Sequence, residues 1–240
     1  MVPAGIGDSV EGVHAVRAAL AAGRVDKLLV DRRRRDDVDG MVGTSAVPVE
    51  FVDDIRAHAR TEVPQGFVAR CRPIATVSLE EAIGLADPPA LMVLDHVEDP
   101  HNLGAVARSA GAAGIPALVV GGRRSAPIGA VAFKAAAGAL EHVRVCIVNS
   151  IPDGVARLKK EGVWTVGLAA HAADSLFGLP LLTEPVAIVA GAEGKGLSRL
   201  VEQRVDVRAS IPMSSGVESL NVSVAAALAM FEIGRARGSL

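Results

Sequence analysis

Residues 90–121 read ALMVLDHVEDPHNLGAVARSAGAAGIPALVVG. In the strand expected at 91–95, LMVLD, the run Leu91–Leu94 is apolar without alternation, as expected of a strand covered on both faces. A polar loop, 95–102, follows it. Asn102 carries the short polar side chain of a helix N-cap, and a helix is expected over 103–113. A second apolar run, 116–121, completes a strand–helix–strand unit of about 30 residues, the size of a parallel crossover.

The same alternation continues downstream. Strands are expected at 142–148, 163–169, 185–190 and 205–211. Helices are expected at about 128–140, 153–161, 196–203 and 221–236. Short apolar runs separated by helices predict an α/β fold, a parallel sheet covered on both faces. Ligands of such sheets gather in loops at the carboxyl ends of strands. Three of those loops stand out: 95–102, 191–196 and 212–221.

Upstream, 8–30 reads as an amphipathic helix ending near Gly23, then a strand Lys27–Val30. A short helix at 40–46, a strand at 47–52, a helix at 53–60 with Asp53 near its start, and a strand at 66–71 complete a small α/β unit, residues 1–71. Residues 72–89, with Pro73, Pro88 and Pro89, form the expected linker. Residues 90–240 form the main domain. The run Arg32–Arg35 could contact phosphate, but Asp31, Asp36 and Asp37 flank it and favour a solvated loop.

Composition narrows the function. The chain has 240 residues, half of them hydrophobic, but aromatics are only 2%, with one Trp and no Tyr. The core must be aliphatic, and there is little material for stacking bases, which argues against a single-strand binder built on aromatic platforms. The formal net charge is −2, so any RNA contact must come from local patches. Residues 1–75 hold 11 Lys+Arg and 11 Asp+Glu, so that part is neutral too. Cys71 and Cys146 match no metal-ligand spacing, and the six His contain no HxxxH or HExxH pattern. Neither a disulfide framework nor a metal is inferred. The N-terminus has no leader-like progression and no apolar run reaches membrane-spanning length. A soluble cytoplasmic protein is expected.

Familiar nucleotide loops are absent from the sequence. GAEGKGLS, 191–198, lacks the spacing of a Walker A loop, no GxGxxG follows a strand, and there is no GxSxG elbow. In the first unusual loop's helix, Gly104, Arg108 and Gly111 share a face at i, i+4 and i+7. Arg108 there could approach a phosphate, a carboxylate or another backbone. In the second loop, glycine permits close backbone approach to a ligand, and Glu193 is either a helix N-terminal acid or a ligand acceptor. The third stretch, IPMSSGVESLNVSVAAALAMFEI (211–233), ends a strand at Pro212 and enters a loop with Gly216. Ser219 and Asn221 are both of cap-forming type. The helix from Val222 is nearly all apolar for three turns, so it is expected to be buried against a sheet or another subunit.

Together, DPHNLGAVARSA, AGAEGKGL and IPMSSGVESLNVSVAAALAMFE closely resemble the three motifs of the SpoU (TrmH-type) RNA ribose 2′-O-methyltransferases of the SPOUT superfamily. They occur in the family's order, and the resemblance covers about 150 residues, from roughly 89 to the end. The N-terminal unit, with GVHAVRAAL, LLV and QGFVAR, resembles that family's RNA-binding domain of the ribosomal-protein-L30e type. GALEHVRV at 138–145 looks most like the branch that modifies a guanosine of large-subunit (23S) rRNA. Ala136 departs from the pattern, since many relatives carry Ser there.

The resemblance implies a deep trefoil knot, a homodimer with its active site near the subunit interface, S-adenosylmethionine as methyl donor, and no metal. By resemblance the base role at the ribose hydroxyl belongs to Arg108, with Asn102 fixing its loop. An arginine side chain ordinarily stays protonated in proteins, so a phosphate or a desolvated site would have to tune it. Glu193, Ser219 and Asn221 would position the second and third motif loops. Gly191, Gly194, Ile211 and Leu220, with Glu193, would contact the donor. Three readings stand: methylation of an rRNA guanosine; methylation of a tRNA guanosine or of an rRNA nucleotide that confers antibiotic resistance; and a non-catalytic RNA-binding protein.

Overall fold

The structure is a computed structural model that describes residues 5–214 and 219–240. Gly216, expected in the third loop, lies outside the described residues.

The N-terminal unit is a four-stranded sheet ordered β1-β4-β2-β3. Its elements are β1 (Ser9–Glu11), α1 (Val13–Ala21), β2 (Val25–Asp31), α2 (Val38–Val42), β3 (Val49–Val52) and β4 (Phe67–Cys71). The helix expected from residue 8 is instead a strand followed by a shorter helix. Gly12, at φ 87, breaks the two apart. Glu11 is fully buried and accepts from the Arg60 and Thr61 backbone N–H groups and the Thr61 hydroxyl, which fixes the strand as part of the sheet. The helix expected at 53–60 is a single 3-10 turn, Ile55–His58, capped by Asp54. Asp53 is instead paired with Arg32 at 2.7 Å.

That pairing is one of a set. Arg33 binds Asp31 and Arg34 binds Asp37, each at 2.6 Å. The Arg33 hydrogen bond holds the Asp31 carboxyl down to about 2. The arginine run is thus largely neutralised by its own aspartates, and Arg35 lies over the Phe51 ring.

Residues 72–89 do not hang free. Val77 N–H donates to the Val145 carbonyl, and α3 (Leu79–Ile83) starts in a capping box formed by Ser78 and Glu81. Beyond it come β5 (Ala90–Asp95), α4 (Pro100–Ala112), β6 (Ala117–Gly121), α5 (Ala130–Ala135), β7 (Arg144–Val148), α6 (Ile151–Lys160), β8 (Trp164–Leu168), β9 (Asp174–Ser175), β10 (Val186–Gly191), α7 (Arg199–Arg204), β11 (Val207–Ser210) and α8 (Val222–Ala236). Seven strands form one parallel sheet, ordered β7-β6-β5-β10-β8-β11-β9. The unexpected β9 is a two-residue edge. The helix expected over 128–140 breaks after Ala135, because Ala137 and Gly138 turn to φ 50 and φ 100. Trp164, the one tryptophan, stands 44% exposed at the amino end of β8.

Strands β5, β6 and β10 are buried on both faces, so they read as continuous apolar runs. An aliphatic core needs close helix contacts. A Cβ at Gly104 of α4 would lie 2.5 Å from the Ala132 carbonyl oxygen of α5, and Ala136, where many relatives carry Ser, is fully buried. One core cluster runs through both sheets, from Val10, Val16 and Phe67 to Leu94, Leu103 and Phe133. At that junction Arg24 makes a two-point pair with Glu141, both contacts 2.6 Å. It also donates to the Gly7 and Arg72 carbonyls and lies 5.4 Å from the Phe133 ring centroid.

Both cysteines are free and buried. Burial pushes the Cys71 and Cys146 thiols up to about 11. At pH 8 the thiolate, the reactive form, is then only about a thousandth of either group. Native protein is expected to release no chromophore from a disulfide reagent at pH 8 within minutes, and two equivalents after denaturation. Fast release from native protein would show that one of these clusters opens.

Candidate active site

Strand register brings the unusual loops together. Asp95 ends β5 beside Gly191, the end of β10, and β10 pairs on its other side with β8. The carboxyl ends of β5, β10, β8 and β11 therefore form one rim, where the direction of chain progression reverses next to β5. Asp95 is fully buried. Its Oδ2 accepts from the Ser198 N–H at 2.7 Å, tying the first loop to the approach to α7. His96 Nδ1 lies 2.8 Å from Asp95 Oδ1.

Asn102 is not the cap of α4. Asp99 is, accepting from the His101 N–H at 2.8 Å, with Pro100 following where its missing N–H costs nothing. Asn102 thus sits inside the first turn with its amide free to reach outward. It donates to Glu193 Oε1 at 3.2 Å, and its oxygen accepts from Asn221 Nδ2 at 3.1 Å. Asn221 Nδ2 also donates to Glu193 Oε1. Asn221 is the expected N-cap: its Oδ1 accepts from the Ser223 N–H at 2.9 Å and the Ser223 hydroxyl at 2.6 Å. Two amides and one carboxylate, one from each unusual loop, form a single hydrogen-bonded junction.

Two cavities flank this junction. The first, about 460 Å³, is lined by Gly191, Glu193, Gly194, Ile211, Ser219 and Leu220 among others. These include every residue named above for the donor. Much of its wall is backbone and small apolar side chains. A Cβ at Gly191 would meet the Gly196 backbone at 2.1 Å, so only glycine lets the 191–196 loop fold back this tightly. Gly196 itself sits at φ 65. The second cavity, about 570 Å³, is lined by His96, Glu98, Asp99, Asn102, Arg124, Glu193, Lys195 and Ser198 among others. Glu193 belongs to both walls.

Arg108 is not gathered into this group. It is exposed on α4, lines neither cavity, and has no ion pair or hydrogen bond among the described residues. Two stretches outside the three unusual loops also line the cavities. Leu168–His171, from the end of β8 onward, line the first cavity, and Arg124, after β6, lines the second. Both follow the carboxyl ends of strands, and that rule could have found them. Among the described residues no cluster of three or more His, Cys, Asp or Glu could hold a metal.

Comparison with known proteins agrees with this layout. Residues 89–231 match the model of the SpoU rRNA Methylase family. Residues 9–77 match that for RNA 2′-O ribose methyltransferase substrate binding. A 23S rRNA (guanosine-2′-O-)-methyltransferase RlmB of Ralstonia nicotianae is 38% identical over 236 residues, 94% of each chain. The protein of that name from Escherichia coli K12 is 37% identical over 245 residues, 96% of this chain and 99% of the relative. The crystal structure of the SpoU methyltransferase AviRb from Streptomyces viridochromogenes, in complex with the cofactor AdoMet, superposes with a TM-score of 0.78 at 25% identity, covering 97% of this chain and 91% of that one. An RNA 2′-O ribose methyltransferase structure gives 0.76 at 26% identity, covering 95% and 88%.

Proposed function

The chain belongs to the SpoU rRNA methylase family, and from that premise we propose that it methylates the ribose 2′-hydroxyl of a guanosine in 23S rRNA. S-adenosylmethionine is the methyl donor. The observation that carries the reading is the Asn102–Glu193–Asn221 junction, which joins the three motif loops between two cavities.

The first cavity suits the donor. Its volume, about 460 Å³, falls within the roughly 300–1,000 Å³ of small-molecule sites. Gly191, Gly194, Ile211 and Leu220 offer it backbone and apolar surface, and Glu193 an acceptor. The donor supplies an activated methyl group on sulfonium sulfur and needs no metal. The protein's part is to align the hydroxyl with that methyl and remove its proton. Asn102, Glu193, Ser219 and Asn221 hold the loops, and Arg108 takes the base role at the hydroxyl, its guanidinium set by the adjoining phosphate.

Since Arg108 lies outside both cavities of its own chain, the Arg108 serving each site is assigned to the partner subunit of a homodimer. The surface of α8 supports the dimer. One side is buried through Val222, Ala226, Ala229, Met230 and Ile233, while Val224, Leu228 and Phe231 at i, i+4 and i+7 are 37–46% exposed. That apolar stripe asks for cover. The same reading assigns RNA recognition to an L30e-like domain, residues 1–71, with 72–89 as the connection and 90–240 as the methyltransferase domain. It also includes a trefoil knot in the C-terminal chain, supported by the likeness to SpoU methyltransferase structures. Among the described residues no helix is long and apolar enough to cross a membrane.

Calorimetry with S-adenosylmethionine in the presence of a chelator, with light scattering on the same sample, tests the proposal. One donor per subunit and a dimer mass are expected. A monomer, or binding that disappears with the chelator, would overturn it.

A further inference from the structure

The arginine run of the N-terminal unit is tied up by Asp31, Asp37 and Asp53. An RNA backbone must therefore find its cations elsewhere. Two of them, Arg124 and Lys195, line the second cavity, and neither has an ion pair among the described residues. Of the acids there, Asp99 is engaged as a helix cap and Glu193 by the two amides, while Glu98 stands exposed.

Arg124 holds a left-handed backbone, φ 52, a conformation that non-glycine residues adopt at a cost and that clusters at ligand sites. Its loop is pinned on both sides, by Gly122 N–H to the Val148 carbonyl at 2.7 Å and Ala126 N–H to the Val97 carbonyl at 2.8 Å. The strain is therefore built in. A second observation points to the same place. Two buried side-chain hydroxyls, Ser125 Oγ and Ser198 Oγ, have no hydrogen-bond partner among the described residues. Ser198 lines the second cavity, and Ser125 follows Arg124, which also lines it. Buried polar groups are normally satisfied, and here one unsatisfied hydroxyl belongs to a wall residue while the other is next in sequence to one.

We propose that the second cavity seats the nucleotide to be methylated and that Arg124 is a positioning residue that binds the backbone phosphate beside it. The inference rests on the methyl-transfer reading. Across the junction of Asn102, Glu193 and Asn221, a ribose held there faces the donor cavity. Arginine suits the task because its planar fork can bind a phosphate at two points.

The test compares the parent protein with Arg124→Ala and Arg124→Lys, using an rRNA fragment with and without S-adenosylmethionine. For Arg124→Ala, RNA KM should rise about 10–100-fold, as for one lost charge-assisted contact. Its single-turnover rate at saturating RNA should stay within about threefold, too small a change for a lost base. Donor affinity should be unchanged. The slope of log K for RNA against log salt should fall by about 0.7–0.9, the share of one phosphate contact. Arg124→Lys should restore the slope and most of KM, because a point charge still neutralises phosphate. An unchanged slope, a changed base preference in its place, or lost donor binding would each overturn the assignment. The salt slope needs no turnover, so it is read even if the parent proves unable to methylate, the result that would instead sink the methyl-transfer reading.

Discussion

Replacing Arg108 with alanine is expected to cut methyl transfer by about 10²–10⁴-fold, the range for a lost general base, while donor affinity stays unchanged. Arg108 is on α4 and lines neither cavity of its own chain, so its loss should leave the donor's walls intact. Lysine should rescue poorly, since it keeps a charge but not the planar fork. Single-turnover assays at saturating donor measure the transfer step, and a rate within about threefold of the parent would reduce Arg108 to an interface arginine. The assignment across subunits has its own signature. Arg108→Ala and Glu193→Gln subunits, each inactive alone, should regain activity when mixed, because one site of the mixed dimer then has both groups intact. If both groups come from the same chain, every mixed site lacks one of them and mixing restores nothing.

Glu141→Ala should destabilise the protein by about 3–5 kcal/mol, the cost of stranding one member of a buried ion pair. Arg24 and Glu141 side chains are 9% and 1% exposed, so the guanidinium left behind has little water to turn to. For a chain of this size the loss corresponds to roughly 6–20 °C in Tm. The double replacement Arg24→Met with Glu141→Leu should recover most of it, because it removes both charges and keeps the volume. Thermal unfolding of the two variants beside the parent reads both effects. A Glu141→Ala midpoint within about 2 °C of the parent, less than 1 kcal/mol, would mean that solvent reaches the pair. The pair bridges the two sheets, so the same variant should also loosen the N-terminal unit from the main one, seen as earlier proteolysis within residues 72–89.

Much of the main sheet was legible because its strands announce themselves. Buried parallel strands such as Leu91–Leu94 and Val186–Ala190 are apolar throughout, and most of the helices between them are amphipathic or capped. The N-terminal unit was harder. Its short strand Ser9–Glu11 buries a serine and a glutamate, and no periodicity marks a strand whose polar groups are satisfied by a loop 50 residues away. Asn102 was misread as a cap because Asp99, three residues earlier, is equally able to cap and is followed by Pro100. Only the fold reveals which one does so, and the asparagine that loses that competition becomes available to the site. Glu141 came into view through the phrase GALEHVRV alone. Its partner, Arg24, is 117 residues away, and no local pattern could have joined them.

The single indole of the chain gives this fold an unusual optical character. Trp164 begins β8 and Leu168, in the wall of the first cavity, ends it, so the two lie about 13 Å apart at strand rise. With no tyrosine, near-ultraviolet emission comes almost wholly from that half-exposed ring at the far end of the strand from both cavities. Emission from Trp164 should therefore be insensitive to ligands that fill the cavities and should track the separation of β8 from β10, its neighbour at that end. A fluorescence titration would be a poor binding assay for this protein and a clean reporter of its unfolding.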